Sequence, residues 1–255
     1  MKSPLSWVGG KSRLADQIST LIPEHKHYGE AFAGAGWVFF RKEPSKYESL
    51  NDINGDLVSF YRVLQHHLEE FCKQFKFILS SRETFSDFKQ QLEAGGLTEI
   101  QRAARFYYLQ RLTFGGKVTG RNFGVDVAGR PRINLLRMEM DLSDIHLRLV
   151  NTTIENLPWE NYIPRYDRPE TFFYLDPPYY GTEHFYGRGL FTKEDFTRLA
   201  GLLATVKGKF LLSLNDCPEV RKIFAAFDIK GTKTKYTVGG GAKAKTAGEV
   251  FILNY

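Results

Sequence analysis

Phe172-Phe173-Tyr174-Leu175-Asp176-Pro177-Pro178-Tyr179 is the stretch whose reading decides how this chain folds. Four consecutive apolar residues make a buried strand, and the prolines end it at once, because proline has no N–H to give to a sheet ladder. Asp176 and Tyr179 therefore stand at the carboxyl end of a strand, where open α/β sheets bind ligands. An Asp-Pro pair alone reads as an ordinary turn. The whole tetrapeptide directly behind an apolar strand reads as a functional corner.

Outward from this corner, further short β-type runs end in small or acidic residues: His27–Glu30, Tyr47–Asp52, Thr152–Asn156, Lys209–Asn215 and Glu249–Tyr255, beside Thr171–Asp176 itself. Helical stretches lie between several of them, which predicts a wound α/β sheet. One such helix opens at Thr192 with Asp195 as its capping-box partner, and Phe196, Leu199, Leu202 and Leu203 give it an apolar face. The middle differs. From Leu57, the positions Phe60, Tyr61, Leu64, Leu68, Phe71 and Phe75 follow a helix period, and a second helix opens at Thr98 with Gln101 as partner. Lys117–Asn134, rich in glycine and arginine, reads as a hairpin. The expected organisation is an α/β domain of residues 1–55 and 145–255, interrupted by a mostly helical insert over 56–144.

Composition bounds the function. The 255 residues, 42% of them hydrophobic, suffice for a substantial core, and the net charge of +6 favours a polyanionic partner. Two cysteines, Cys72 and Cys217, form no CxxC pair or disulfide framework, which fits a reducing cytoplasm. No apolar run is long enough to span a bilayer, and the six histidines, among them the surface-type pairs His25/His27 and His66/His67, lack zinc spacing. The expectation is a monomeric cytoplasmic protein with no membrane partner and no metal.

Two segments carry a cofactor signal. Glu30-Ala31-Phe32-Ala33-Gly34-Ala35-Gly36 joins a short strand to the helix-like Trp37–Phe40, and its small residues let a ligand approach the backbone. In Leu50-Asn51-Asp52-Ile53-Asn54, Asp52 ends the next strand about twenty residues on, the place for an acid that bonds a ribose diol. Ile53 would pack on an adenine ring. Together these point to an adenosine-bearing cofactor, with Glu30, Phe32, Gly34 and Gly36 as the candidate residues of the turn. Trp7-Val8-Gly9-Gly10-Lys11-Ser12 ends like a phosphate-binding loop, but Leu5 stands where that loop needs its first glycine. Here Trp7, Gly9, Gly10 and Lys11 are read instead as cofactor contacts, with Lys11 neutralising a carboxylate.

The Asp-Pro-Pro-Tyr corner suits methylation of an exocyclic amine. Such an amine is a poor nucleophile, because its lone pair is delocalised, and it becomes cationic as it attacks a methyl sulfonium. Acceptors aimed at its two hydrogens stabilise that charge. Asp176 offers a carboxylate oxygen, and Pro177 a carbonyl held rigid by its own ring and that of Pro178. Tyr179 offers a flat face for a base lifted from the duplex. For DNA, Lys117, Arg121, Asn122, Arg130, Arg132 and Arg137 crowd the expected hairpin against one acid, Asp126, with Arg121 and Asn122 as candidates for base contact. A second basic region, Lys230, Lys233, Lys235, Lys243 and Lys245, surrounds a glycine run read as flexible and suited to phosphate.

Taken in order, Trp7–Lys11, Glu30–Gly36, the helical insert and Asp176–Tyr179 resemble the amino-methylating DNA adenine methyltransferases of bacteria and their phages, the group that includes GATC-methylating enzymes. The match covers nearly the whole length. The resemblance implies a Rossmann-like methyltransferase sheet with one antiparallel strand near its end. It implies S-adenosylmethionine as cofactor, contacted by Trp7, Lys11, Asp52 and Asp176, and double-stranded DNA as partner through a target-recognition insert. Gln110–Gly116 departs from the Asn-Arg-Tyr-Gly-Tyr-Asn-Gly-like stretch of GATC-type members, so the resemblance leaves the recognition sequence open. Residue chemistry alone leaves cytosine N4 open as the target, since its amine poses the same problem; family order favours adenine. Cytosine C5 chemistry needs a cysteine nucleophile, and neither cysteine holds a strand-end position. A catalytically silent DNA-binding regulator is the reading from another class, and the intact Asp176–Tyr179 and Asp52 count against it.

Overall fold

The computed structural model describes all residues except 79, 125–132, 134, 184–186, 188 and 237–244, and of 135–136, 233–236 and 245–247 it describes the backbone alone. Among the described residues seven strands form one sheet: β1 (His27–Glu30), β2 (Tyr47–Asn51), β3 (Thr152–Glu155), β4 (Thr171–Leu175), β5 (Lys209–Asn215), β6 (Asp228–Tyr236) and β7 (Lys245–Leu253). Their order is β3-β2-β1-β4-β5-β7-β6. The first five run parallel, and β7 lies antiparallel between β5 and β6. The sheet is thus Rossmann-like, with the single reversed strand near its end.

Side-chain alternation along β4 shows why its apolar run was needed. Phe172 and Tyr174 enter the core on one face of the sheet, Phe173 and Leu175 the core on the other. On the second face lie α8 (Trp159–Tyr166), α9 (Lys193–Leu203) and α10 (Pro218–Ile223), which bury Tyr162, Phe196, Leu199 and Val220. The box at Thr192 forms as expected, the Thr192 N–H donating to the Asp195 carboxylate at 2.7 Å.

The first face carries α1 (Ala15–Leu21), α2 (Trp37–Arg41) and the helices that separate β2 from β3: α3 (Gly55–His66), α4 (Leu68–Lys73), α5 (Arg82–Ala94), α6 (Glu99–Leu112) and α7 (Leu135–Leu149). The periodic run from Leu57 becomes two helices, broken at His67. Asn54 caps α3, accepting from the Asp56 and Leu57 N–H groups at 3.0 and 3.2 Å, and Thr98 with Gln101 caps α6. These helices do not stand apart. Phe60, Phe71, Phe106 and Tyr107 belong to the same buried cluster as Tyr28, Leu50 and Phe172 of the sheet. Gln65 on α3 donates to the Leu149 and Thr152 carbonyls at 2.7 and 2.8 Å. Glu48 on β2 receives both Arg148 from α7 and Lys42; burial opposes its charge, but the two cations hold its carboxyl below the ordinary range.

Three expectations change. The second basic region is in part a strand: Lys230, Lys233 and Lys235 lie on β6, and β7 begins at Lys245, four residues before the expected start, while the glycine run lies outside the described residues. β6 is an edge strand, where an even mix of lysine and threonine is tolerated and carries no burial pattern to read. His25 and His27 are half-buried rather than surface residues, His27 through its place on β1 and a contact to Ser49 at 3.0 Å. Of the expected hairpin over 117–134, the described part is a short closed loop: Thr113 bridges Phe123 antiparallel, and Phe114 N–H donates to the Asn122 carbonyl at 3.0 Å. No helix among the described residues is long and apolar enough to cross a membrane.

Phe60 is fully buried among Tyr61, Phe71, Phe106 and Tyr107, with ring centroids 5.5–6.1 Å away. Truncation to alanine leaves a cavity where helices and sheet share one core. Phe60→Ala is expected to cost about 3–5 kcal/mol, measured by urea denaturation.

Candidate active site

Between β1 and β4 the strand order reverses direction, and crevices at such switch points open at the carboxyl ends of the strands. The glycine-rich turn leaves β1 there and the Asp-Pro-Pro-Tyr corner leaves β4 beside it. Asp176 is gripped from two sides. The Lys11 ammonium lies 2.5 Å from its Oδ1, and the Ser213 hydroxyl of β5, itself 3.0 Å from the Tyr174 hydroxyl, donates to the same oxygen at 3.2 Å. Burial pushes the Asp176 carboxyl up and Lys11 pulls against it, with a net rise. Lys11 also donates to the Gly9 carbonyl at 3.2 Å and lies 4.6 Å from the Tyr179 ring centre. The corner is pinned further on: the Tyr179 hydroxyl donates to Glu249 at 2.8 Å, and the Tyr180 N–H to Asn215 at 2.9 Å.

The glycine-rich turn is organised by acids. Helix α2 begins after Gly36, which has no side chain to cap it, so the Glu30 carboxylate accepts from the Phe39 N–H at 2.9 Å, and from the Tyr28 hydroxyl at 2.6 Å. Burial pushes the Glu30 carboxyl up to about 8, against these donors. Gly34 sits at φ +48, and a Cβ there would come within 3.0 Å of the Trp7 indole nitrogen. Its N–H donates to Asp52 Oδ2 at 2.9 Å, while Asp52 Oδ1 accepts from Asn54 N–H, also at 2.9 Å. Each carboxylate oxygen keeps further acceptor capacity. Burial also raises the Asp52 carboxyl.

These parts line one cavity of about 340 Å³. Of the residues singled out in the sequence, Trp7, Gly10, Lys11, Glu30, Phe32, Gly34, Gly36, Asp52, Ile53, Asp176 and Pro178 face it. Gly9, Pro177 and Tyr179 do not; Gly9 supports Lys11, Pro177 is buried, and the Tyr179 hydroxyl is turned to Glu249. Sequence reasoning missed part of the wall: Leu157, Pro158 and Trp159 after β3, and Phe191 and Arg198 around the start of α9. Phe32, Trp159 and Phe191 form an aromatic side with centroids 5.8–6.5 Å apart. The strand-end rule that selected Asp52 and Asp176 applies equally to the residues after β3 and would have found them.

Residues 7–238 match the family model of the D12 class N6 adenine-specific DNA methyltransferase. The chain belongs to this family. Its curated relatives include the type II methyltransferase M1.LlaDCHI of Lactococcus lactis subsp. cremoris, 29% identical over 98% of this chain and 94% of the relative. They also include the DNA adenine methylase of Vibrio cholerae serotype O1, 26% identical over the same shares, and the type II methyltransferase M.CviBI of Paramecium bursaria Chlorella virus NC1A, 26% identical over 92% of this chain and 91% of the relative. Family membership makes the protein a DNA methyltransferase acting on adenine N6 with a methyl donor, and so decides between the adenine and cytosine amines that chemistry alone left open.

The candidate DNA-contacting residues of the methyltransferase fall into three groups. Lys117, Asn122 and Arg137 are exposed. Arg121 is not: its guanidinium lies 5.2 Å from the Phe106 ring centre, its Nε is buried without a hydrogen-bond partner, and burial lowers its pKa. Arg130, Arg132, Lys243 and the side chain of Lys245 lie outside the described residues. Cys72, its thiol pushed up to about 11 by burial, sits in the helical region, away from the cavity. No cluster of metal-binding side chains occurs among the described residues.

The helical region also touches the site. Gln110 on α6 donates to the Ser6 and Gly116 carbonyls at 2.7 and 2.8 Å, and the Val8 N–H donates to the Gly116 carbonyl at 3.0 Å. Gly116 sits at φ +65, and a Cβ there would meet the Trp7 backbone nitrogen at 2.7 Å. Main chain cannot swing aside as a flexible side chain would. Gly116→Ala is therefore expected to displace the Trp7–Lys11 loop and lower kcat/KM for methyl transfer by at least about tenfold. Far-UV circular dichroism should remain unchanged.

Proposed function

We propose that the methyl donor is S-adenosylmethionine, held in the 340 Å³ cavity, and that Asp176 receives the N6 amine of an adenine turned out of double-stranded DNA. The fit to the donor rests on the polar groups around the cavity: a carboxylate, Asp52, beside the exposed edge of Ile53 for a ribose and its base, and the Lys11 cation, whose charge attracts a carboxylate without a direct bond to it, with the Trp7 indole against Gly34. When bound, the donor supplies an electrophilic methyl on sulfur. Asp176 accepts a hydrogen bond from one amine N–H, and its negative charge stabilises the positive charge that develops on nitrogen. The Pro177 carbonyl accepts a hydrogen bond from the second N–H, and the Tyr179 ring stacks on the base. Trp7, Glu30, Phe32 and the glycines of both loops shape the donor's surroundings and exclude water.

The observation that carries this reading is the Lys11–Asp176 contact on the wall of the same cavity as Asp52. It joins the donor end of the site to the acceptor end. The helices over residues 56–144 serve as the target-recognition domain, with 1–55 and 145–255 as the catalytic domain. Lys117, Asn122 and Arg137 meet DNA from the exposed surface, and Arg121 leaves Phe106 to reach a base edge. Arg130, Arg132, Lys243 and Lys245 contribute phosphate contacts, which make affinity salt-dependent. The enzyme works as a monomer in a bacterial cytoplasm.

Transfer of tritiated methyl from S-adenosylmethionine to unmethylated DNA tests the whole reading. Asp176→Ala is expected to lower transfer by at least about 10²-fold with the fold intact by circular dichroism; wild-type turnover in this variant refutes the role. Arg121→Ala is expected to change the profile of methylated sites, mapped by single-molecule sequencing after expression in a methylation-free host. An unchanged profile removes Arg121 from base recognition.

A further inference from the structure

Glu249 is fully buried on β7, between Asn215 of β5 and Thr232 of β6, and its chain neighbours Val250 to Leu253 are all apolar core. A carboxylate in such a place is costly unless paired, and an apolar residue of similar volume is the cheaper occupant. Because β7 runs antiparallel, this position lies beside the carboxyl end of β5, next to the site rather than at the far edge of the sheet. One oxygen, Oε1, accepts from the Tyr179 hydroxyl at 2.8 Å and lies 3.5 Å from the Lys11 ammonium. Lys11, its side chain 2% exposed, is thus shared between two acids, Asp176 at 2.5 Å and Glu249.

We propose that Glu249 is a positioning residue for methyl transfer: by holding the Tyr179 hydroxyl and the Lys11 ammonium on one carboxylate, it fixes the Asp176–Tyr179 corner and keeps Asp176 from being neutralised by Lys11. The inference rests on the role given to Asp176 above. Paired with Lys11 alone, Asp176 would be part of a neutral couple and a weakened acceptor. One cation between two anions leaves the cluster at formal charge −1, suited to an amine that becomes positive in the transition state. The corner is also held at both ends, since Tyr179 is anchored by its hydroxyl while Asp176 is anchored by Ser213 and Lys11. Little reorganisation then remains for the reaction itself.

The charge arrangement has a signature in pH. Asp176 is faced by Lys11 from the N-terminal loop, Tyr174 of β4, Ser213 of β5, Glu249 of β7 and Glu30 of β1. Burial raises its carboxyl most, Lys11 lowers it, and the Glu249 charge raises it further. Asp176 must be ionised to accept from the amine, so kcat falls as pH drops through its pKa. Removing the Glu249 charge lowers that pKa and moves the acid limb of the kcat profile to lower pH.

Glu249→Gln keeps the shape and an acceptor for Tyr179 but removes the charge. It is expected to lower kcat by at least about tenfold, leave KM for DNA within about twofold, and shift the acid limb downward. Tyr179→Phe, which deletes one hydroxyl, should also lower kcat, and adding it to Glu249→Gln should cost less than the two losses multiplied, because both act through one contact. Thermal melts establish that each variant folds; if Glu249→Gln does not, wild-type kcat in Tyr179→Phe overturns the inference. Asp176→Ala, run in parallel, separates the two readings. Full turnover there removes the role of Asp176 and this inference with it. Loss of turnover there, with wild-type kcat and an unmoved acid limb in Glu249→Gln, overturns the inference alone.

Discussion

Lys11 and Asp176 meet at 2.5 Å although 165 positions separate them in the chain, and the rest of the site is arranged around that contact. It ties the loop before α1 to the end of β4, so the side of the cavity formed by the N-terminal loop shares one pair of charges with the Asp-Pro-Pro-Tyr corner. Neither charge is well hydrated: the Lys11 side chain is 2% exposed and that of Asp176 20%. Buried charges persist only when their hydrogen-bonding capacity is met, and here Gly9, Ser213 and Glu249 meet it. The result is a preorganised polar cluster in a cavity with one aromatic side, a setting that favours electrostatic stabilisation of a developing charge.

A second constraint is the union of the helical region with the sheet. The helices over 55–149 share a continuous core with β1, β2 and β4, and the Glu48 ion network fastens the end of α7 to β2. Contact to the site passes through Gln110 and Gly116, whose polar groups hold the backbone of Ser6 and Val8, and through the Tyr61 hydroxyl, which donates to the Gly34 carbonyl at 2.9 Å. The loop from 113 to 124, which presents Lys117 and Asn122 to solvent, is therefore built on the same turn that supports Trp7. A change of conformation in this exposed loop has a direct mechanical route to the Trp7–Lys11 loop.

Strain and cost are placed where they serve the site. The unpartnered Arg121 Nε lies in the loop from 113 to 124, and the raised carboxyls of Glu30, Asp52 and Asp176 all border one cavity. Glu30 does structural work there, standing in for the cap that Gly36 cannot provide to α2. Perturbed carboxyls clustered in a cleft are what an active site needs, and no comparable cluster occurs elsewhere among the described residues.

How much of this was legible beforehand follows from what each residue depends on. The apolar run 172–175, the prolines behind it, and the capping pairs Thr98/Gln101 and Thr192/Asp195 are local signals, decided by hydrogen bonds and sterics within a few residues, and they stand as read. Of the parallel strands, β4 and β5 were legible as buried, largely apolar runs, and β1, β2 and β3, which carry polar residues, as short β-type runs that end in small or acidic residues. β6 was not, because an edge strand of lysine and threonine buries too little to leave a pattern. Asp52, Lys11 and Asp176 were visible as motif residues, whereas Glu249 looked like the first residue of a closing strand. Its role depends on β7 reversing direction and delivering a carboxylate to the end of β5. The parking of Arg121 on Phe106 likewise depends on α6 passing beneath the loop. Sequence alone therefore determined the strand ends and the chemistry they can carry, through local backbone physics. Only the tertiary structure decided which distant charges share Lys11, because that sharing is set by strand order and direction, which no local interaction encodes.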